Sequence, residues 1–160
     1  MIDLDLQAFC VAQDDVRIHL ARPWSRDEWS YATNGHIIVR VPRRNTIGEN
    51  TNSPDARKLF DETPIGKWCQ VPETAMPAKV PCQWCDGTGK DLSDRRHKCE
   101  ECKGTREQED IHSRTKIGDV AFANRFLALI QGWEIAPNSL EQAARIRCGA
   151  AEGLLMPMRE

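Results

Sequence analysis

Apolar and polar positions change rhythm several times along this chain, and each change predicts an element. Near the N-terminus Leu6, Phe9 and Cys10 recur at helical spacing, which predicts a short amphipathic helix. Asp14-Asp15 interrupts that stripe, and residues 16–20 then read as a strand ended by Pro23. The sharpest local signal follows. Trp29 and Tyr31 alternate with polar neighbours, Asn34-Gly35 intervenes, and Ile37, Val39 and Val41 resume the alternation. Asn-Gly between two alternating runs predicts a tight hairpin, because a type I′ turn needs positive φ at both central positions. Its strands are expected at 28–33 and 36–41.

From 42 to 80 the pattern loosens. Asn45, Gly48, Asn50, Asn52 and Pro54 read as an exposed loop. Pro54 suits the opening of a short helix through Leu59 and Phe60, since proline is tolerated at a first helical position. Pro64, Gly66, Pro72, Pro77 and Pro81 mark turns, with a strand expected at 68–71. Regular structure returns after 107. A strand at 120–122 leads into a helical stripe of Ala123, Phe126, Leu127 and Ile130, with Gly132 at its C-cap. Ile135, Ile146 and Leu154-Leu155-Met156 predict closing strands. The order is helix then strands, an insertion at 81–107, and helix then strands again. It predicts an α+β fold in which 1–80 and 108–160 form one domain with two similar halves.

A length of 160 residues with 40% hydrophobic and 29% charged positions is a globular composition with enough apolar material for a core. The net charge of −2 changes the picture more. Binding nucleic acid by charge alone needs a basic excess, because phosphate neutralisation supplies most non-specific affinity. The start, Met1-Ile2-Asp3-Leu4-Asp5, is acidic where a signal peptide is basic, and the apolar run at 126–130 is too short to span a bilayer. The expectation is a cytoplasmic protein without membrane contact.

In a reducing compartment closely spaced cysteines favour metal over disulfide. Cys82-Gln-Trp-Cys85 and Cys99-Glu-Glu-Cys102 are two CxxC pairs separated by thirteen residues, the spacing of a tetrahedral four-cysteine site. Each pair is followed by a glycine at the same offset, Gly87 and Gly104, where the backbone must turn so that amide N–H groups reach sulfur. The expected cofactor is one structural Zn2+ ion, with iron as the competing metal and metal-free or redox-active thiols as the alternatives. Four sulfurs leave no open coordination position, so the site is structural and not catalytic. Cys10, Cys69 and Cys148 stand outside ligand spacing and read as buried thiols. Arg95-Arg96-His97-Lys98 gives the insertion a local basic tip, yet Asp86, Asp91, Asp94, Glu100 and Glu101 balance it, so it also reads as a solvated turn. Trp84, between two ligands, suits either packing over the knuckle or an exposed contact.

Two resemblances follow from these residues. The segment 82–89 with 99–106 resembles the CxxCxGxG repeats of DnaJ-type co-chaperones, with two repeats instead of four and Arg106 in place of the last glycine. No His-Pro-Asp tripeptide accompanies it. The rest resembles the bacterial DNA sliding clamp, the beta subunit of DNA polymerase III. Tyr31-Ala32-Thr33-Asn34-Gly35-His36 is similar to its A-T-D-G-H hairpin, and Phe122, Phe126 and Leu127 fall on its F-N-x-x-Y-L motif with Ala123 replacing the asparagine. Leu155-Met156-Pro157-Met158-Arg159 is similar to its terminal M-P-M-R. The resemblance implies a single clamp-like domain carrying an inserted zinc hairpin. The family's ring has six such domains, and its partner groove takes residues matching Thr33, Gly35 and His36 from one domain and Met156, Pro157 and Met158 from the next. One copy is therefore expected to rebuild the groove only between subunits. The plainer expectation makes Met156 and Met158 a core-closing strand and His36 a hairpin side chain.

No nucleophile elbow, phosphate loop or metalloprotease motif occurs, His19 and His112 stand isolated, and neighbouring acids such as Glu100-Glu101 point apart in extended chain. A non-enzyme is expected. Two binding functions remain. One is a clamp-like protein associated with DNA replication, of phage or mobile-element origin, that works through a protein partner, through homo-oligomerisation, or through DNA met by assembly or by the finger tip. Its partner surface is expected at Thr33, His36, Arg95, Arg96, Lys98, Met156 and Met158. The other is a DnaJ-type zinc module holding unfolded polypeptide.

Overall fold

The computed structural model describes residues 3–12, 16–74 and 77–159. Met1-Ile2 and the Asp14-Asp15 break lie outside the described residues. The strands are β1 (Trp24–Arg26), β2 (Trp29–Thr33), β3 (Ile37–Pro42), β4 (Cys69–Gln70), β5 (Lys79–Pro81), β6 (Glu107–Glu109), β7 (Arg114–Ile117), β8 (Val120–Ala123), β9 (Glu134–Ala136), β10 (Ala144–Cys148) and β11 (Ala151–Leu155). Seven of them form one sheet in the order β1-β2-β3-β11-β10-β9-β4, while β5-β6 and β7-β8 are separate two-stranded ribbons. The fold is mostly sheet with few helices.

The two halves contribute matching pieces. Strands β1–β3 form one antiparallel meander and β9–β11 another. They join where β3 runs antiparallel to β11, with Val39 opposite Gly153 and Ile37 opposite Leu155. A short helical segment precedes each meander. In the first half it is a 3₁₀ turn, Leu6–Phe9; in the second it is α2 (Asn124–Leu127), continued by the 3₁₀ turn Ala128–Ile130. The α1 helix (Arg57–Glu62) lies between β3 and β4.

Alternation along the strands decides which face each side chain meets. Ile37, Val39 and Val41 of β3 join Ala32, Ile135, Ile146 and Leu155 in a core closed over by Leu6, Phe9, Phe126, Leu127 and Ile130. Phe9 and Trp133, from opposite halves, meet there with ring centroids 6.1 Å apart. Each fully buried side chain of this size contributes about 2 kcal/mol relative to exposure. Gly153 is a tight point of the sheet, since a Cβ there would lie 2.4 Å from the Ile38 carbonyl oxygen. The other face packs Trp24, Tyr31, Ile38 and Leu154 under Phe60 of α1. Arg40 lies between Trp29 and Phe60, 4.2 and 3.8 Å from their ring centroids, and pairs with Glu152, its register partner on β11. Arg145 closes the C-terminal end of α1 by donating through Nε to the Thr63 carbonyl at 2.9 Å and through its guanidinium to the Phe60 carbonyl.

Several expectations shift. The N-terminal helix is a single 3₁₀ turn, capped by the Asp5 carboxylate on Gln7 N–H at 3.0 Å and ended by extended backbone at Cys10. Residues 16–20 are not a strand: Val16 and Ile18 are 97% and 59% exposed, so their alternation has no sheet to face. Ile18–Leu20 forms a 3₁₀ turn, and the strand begins at Trp24, after Pro23. The hairpin is present, but its turn is centred one residue later. Asn34 N–H donates to the Ile37 carbonyl at 3.3 Å across Gly35-His36, and Gly35 alone of the four takes positive φ, +93°. That is the type II′ demand, not type I′. The Asn34 side chain instead accepts from the N–H groups of His36 and Ile37. The helix expected from Pro54 starts at Arg57, and the strand at 114–117 lacked a sequence signal. The closing strand stops at Leu155, leaving Met156 41% exposed, while Met158 is partly buried against the core.

Candidate metal centre and adjoining groove

The insertion leaves and rejoins the body at one place, since β5 and β6 pair Pro81 with Glu107. Between them the two CxxC knuckles are built alike. In the first, Gly87 N–H donates to the Cys82 carbonyl at 2.9 Å and Thr88 Oγ1 to the Cys85 carbonyl at 2.7 Å. In the second, Thr105 Oγ1 donates to the Cys102 carbonyl at 2.6 Å. Positive φ recurs at equal offsets: Asp86, Gly87 and Gly89 at 50°, 72° and 75°, against Lys103, Gly104 and Arg106 at 55°, 82° and 72°. The repeat therefore encodes a backbone path, and Arg106 holds a left-handed position that glycine occupies in the first knuckle. The knuckles interlock through Cys82 N–H to the Arg106 carbonyl, 2.9 Å, and Cys99 N–H to the Gly89 carbonyl, 3.0 Å.

This path brings four buried sulfurs together, with their ligand atoms all within 4.8 Å of one another. Cys82 and Cys99 Sγ are 4.0 Å apart, and Cys85 and Cys102 Sγ 3.8 Å. Disulfides need about 2.05 Å. A tetrahedron with metal–sulfur bonds of about 2.3 Å has edges of about 3.8 Å, so the donor set fits one ion. Burial works against the Cys85 thiolate, yet the Gly89 N–H, 3.2 Å from its sulfur, and the adjoining thiols outweigh it and bring its pKa to about 7. Burial likewise opposes ionisation at Cys102, where the Arg106 and Gly104 N–H groups prevail and lower the pKa. Burial pushes Cys82 up to about 11. A cation entering the site would supply what those dipoles do not. Among the described residues this is the one group of three or more His, Cys, Asp or Glu placed to hold a metal.

Local pairing absorbs part of the basic tip. Asp94 accepts from Arg96 Nε at 3.1 Å and lies 3.1 Å from His97 Nδ1, and Arg96 with Ser93 hold Asp94 and Asp91 below the usual carboxylate range. Arg95 and Lys98 are exposed. Trp84 is 61% exposed, so it does not cover the knuckle.

Around the turn between β2 and β3 lies a groove of about 470 Å³ whose lining includes Leu20, Thr33, Gly35, His36, Ile38, Leu59, Leu154 and Met156. Thr33, Gly35, His36 and Met156 thus share one groove within one chain, and no second subunit is needed to bring them together. Thr33 is buried, donating from Oγ1 to the Ile37 carbonyl at 2.7 Å and accepting from Gly35 N–H at 3.0 Å, which stiffens the turn. The His36 ring stacks on Phe126, 5.3 Å between centroids. Burial first, then the positive charges of Arg125 and Arg17, lower its pKa. Met158 lies beyond, in a smaller cleft with His36, Phe126 and Pro157. No sequence signal joins Leu20, Leu59 and Leu154, which come from three distant segments, each apolar for local reasons.

No helix among the described residues is long and apolar enough to cross a membrane. No protein-family model matches the chain, and neither does any curated protein sequence.

Proposed function

We propose that this chain is a non-catalytic, zinc-stapled interaction module that serves DNA replication through a clamp-like groove. The observation carrying the proposal is the convergence of Thr33, Gly35, His36 and Met156 on one apolar groove, because these are four of the six positions the clamp resemblance assigns to partner binding, the other two, Pro157 and Met158, lining the adjoining cleft. The paired meanders, each preceded by a helical segment, support the same reading. Zinc is the proposed ion: it has no d-electron preference against a tetrahedron and takes four thiolates readily. With all positions filled by sulfur, it staples the arm and offers no site to a substrate.

The second reading, a DnaJ-type module for unfolded polypeptide, draws on the exposure of Trp84 and Leu92 on the arm, 61% and 52%. The two readings separate in one experiment. Binding to purified replication proteins, and suppression of aggregation of a denatured client, are measured for wild type, Met156→Glu and Cys99→Ser. Replication-protein binding lost with Met156→Glu and kept with Cys99→Ser supports the groove. Client protection lost with Cys99→Ser, with no replication-protein binding by any form, replaces it with the second reading.

A further inference from the structure

Resting on the groove reading above, we propose that the groove selects an extended peptide carrying a lysine or arginine beside its apolar anchors, with the cation held by Glu62 and Glu141. The groove crosses three neighbouring strand ends. The turn at Gly35-His36 starts β3, Met156 follows β11, and Glu141 to Ala143 precede β10. These strands are adjacent in the sheet, so the span is roughly 10–15 Å at about 4.8 Å per strand. An extended chain at about 3.3 Å per residue crosses it with three or four residues.

Charge distinguishes the two ends. At the turn end stand His19 and His36, with Arg17 Nη1 donating to the Asn34 carbonyl at 3.0 Å. At the other end, Asn138 Nδ2 donates to both the Pro64 carbonyl, 2.8 Å, and the Ala143 carbonyl, 2.9 Å. That clamp holds the segment after α1 against the segment before β10, and so sets Glu62 and Glu141 on the same end of the groove. No Lys or Arg is among the described residues lining it. The cations nearby are otherwise engaged: Arg145 serves the Thr63 and Phe60 carbonyls, and Lys58 lies 3.6 Å from Glu62 in an exposed i,i+4 pair. Such surface pairs are weak and exchange readily. An apolar floor of Leu20, Ile38, Leu59, Leu154 and Met156 ending in two carboxylates is complementary to a peptide that is apolar along its length and cationic at one end.

The test pans random octapeptides against the full zinc-loaded chain, with an uncoated support as the blank. Enrichment of sequences with Lys or Arg within about three residues of an apolar pair is expected, and replacing each glutamate, Glu62→Gln and Glu141→Gln, is expected to weaken the best such peptide by roughly two- to fivefold. Both side chains are exposed, so these variants keep the fold. Enriched apolar peptides without a basic preference, or a preference that survives both substitutions, overturn this inference and leave the groove reading standing. No enrichment over the blank removes both.

Discussion

The Met156 backbone N–H donates to the His36 carbonyl at 2.9 Å, tying the residue after the last strand to the hairpin turn 120 positions earlier in the chain. This bond holds the Met156 side chain beside Thr33 and Gly35 in the groove, although the side chain lies beyond the sheet. Since the bond is made by backbone, Met156 can be changed without removing it. Met156→Glu is expected to abolish partner binding while shifting the unfolding midpoint little, as an exposed substitution usually costs within about 0.5 kcal/mol. Paired binding and denaturant curves check this.

His36 makes groove stability pH-dependent. Its folded pKa is lowered, by burial first and by Arg125 and Arg17 next. Between that lowered value and the ordinary 6.5 the unfolded chain binds more protons than the folded one, so stability is present above 6.5 and falls as pH drops through this window. Nuclear magnetic resonance titration of the imidazole is expected to give a midpoint below 6.5, and His36→Gln to flatten the stability profile there.

Arg106 at φ 72° sits in the left-handed region, in a place equivalent to Gly89 at 75°. A side chain there costs about 1 kcal/mol that glycine avoids. Arg106→Gly is expected to stabilise the metal-bound arm by about that amount, less the packing of its Cγ against Gly89. Metal retention against graded chelator reads this out, and no gain would mean that the lost packing equals the relieved strain.

Removing the metal is expected to unfold the arm and spare the sheet, because the arm joins the body through β5 and β6 and keeps its four sulfurs in a cluster of their own. Hydrogen exchange of Cys99→Ser is expected to lose protection between 82 and 106 while keeping it in β3 and β11. Affinity is expected to weaken as pH falls through about 7, where Cys85 gains its proton.

Gly153→Ala places a methyl 2.4 Å from the Ile38 carbonyl oxygen, against backbone that cannot yield cheaply. A loss of about 2 kcal/mol or more is expected from urea unfolding. A neutral result would show that β11 can shift against β3.

What the sequence determined by itself is local. The cysteine spacing and the glycines after each pair announce the metal site, because a knuckle is made within a few residues and needs little from the rest of the chain. Asn34-Gly35 between alternating runs announces the hairpin, though not that the turn centres on Gly35-His36, which depends on Asn34 capping two N–H groups. The helix-then-strands order announces two halves. Tertiary structure decided the rest. Val16 and Ile18 alternate like a strand, but no sheet edge is offered to them. The pairing of β3 with β11 brings Gly153 opposite Val39 and Met156 beside His36, and so gathers within one chain groove residues that the clamp resemblance divides between two subunits. Side-chain spacing encodes geometry over a few residues, whereas the register between segments more than a hundred positions apart is set by which apolar faces can be buried together.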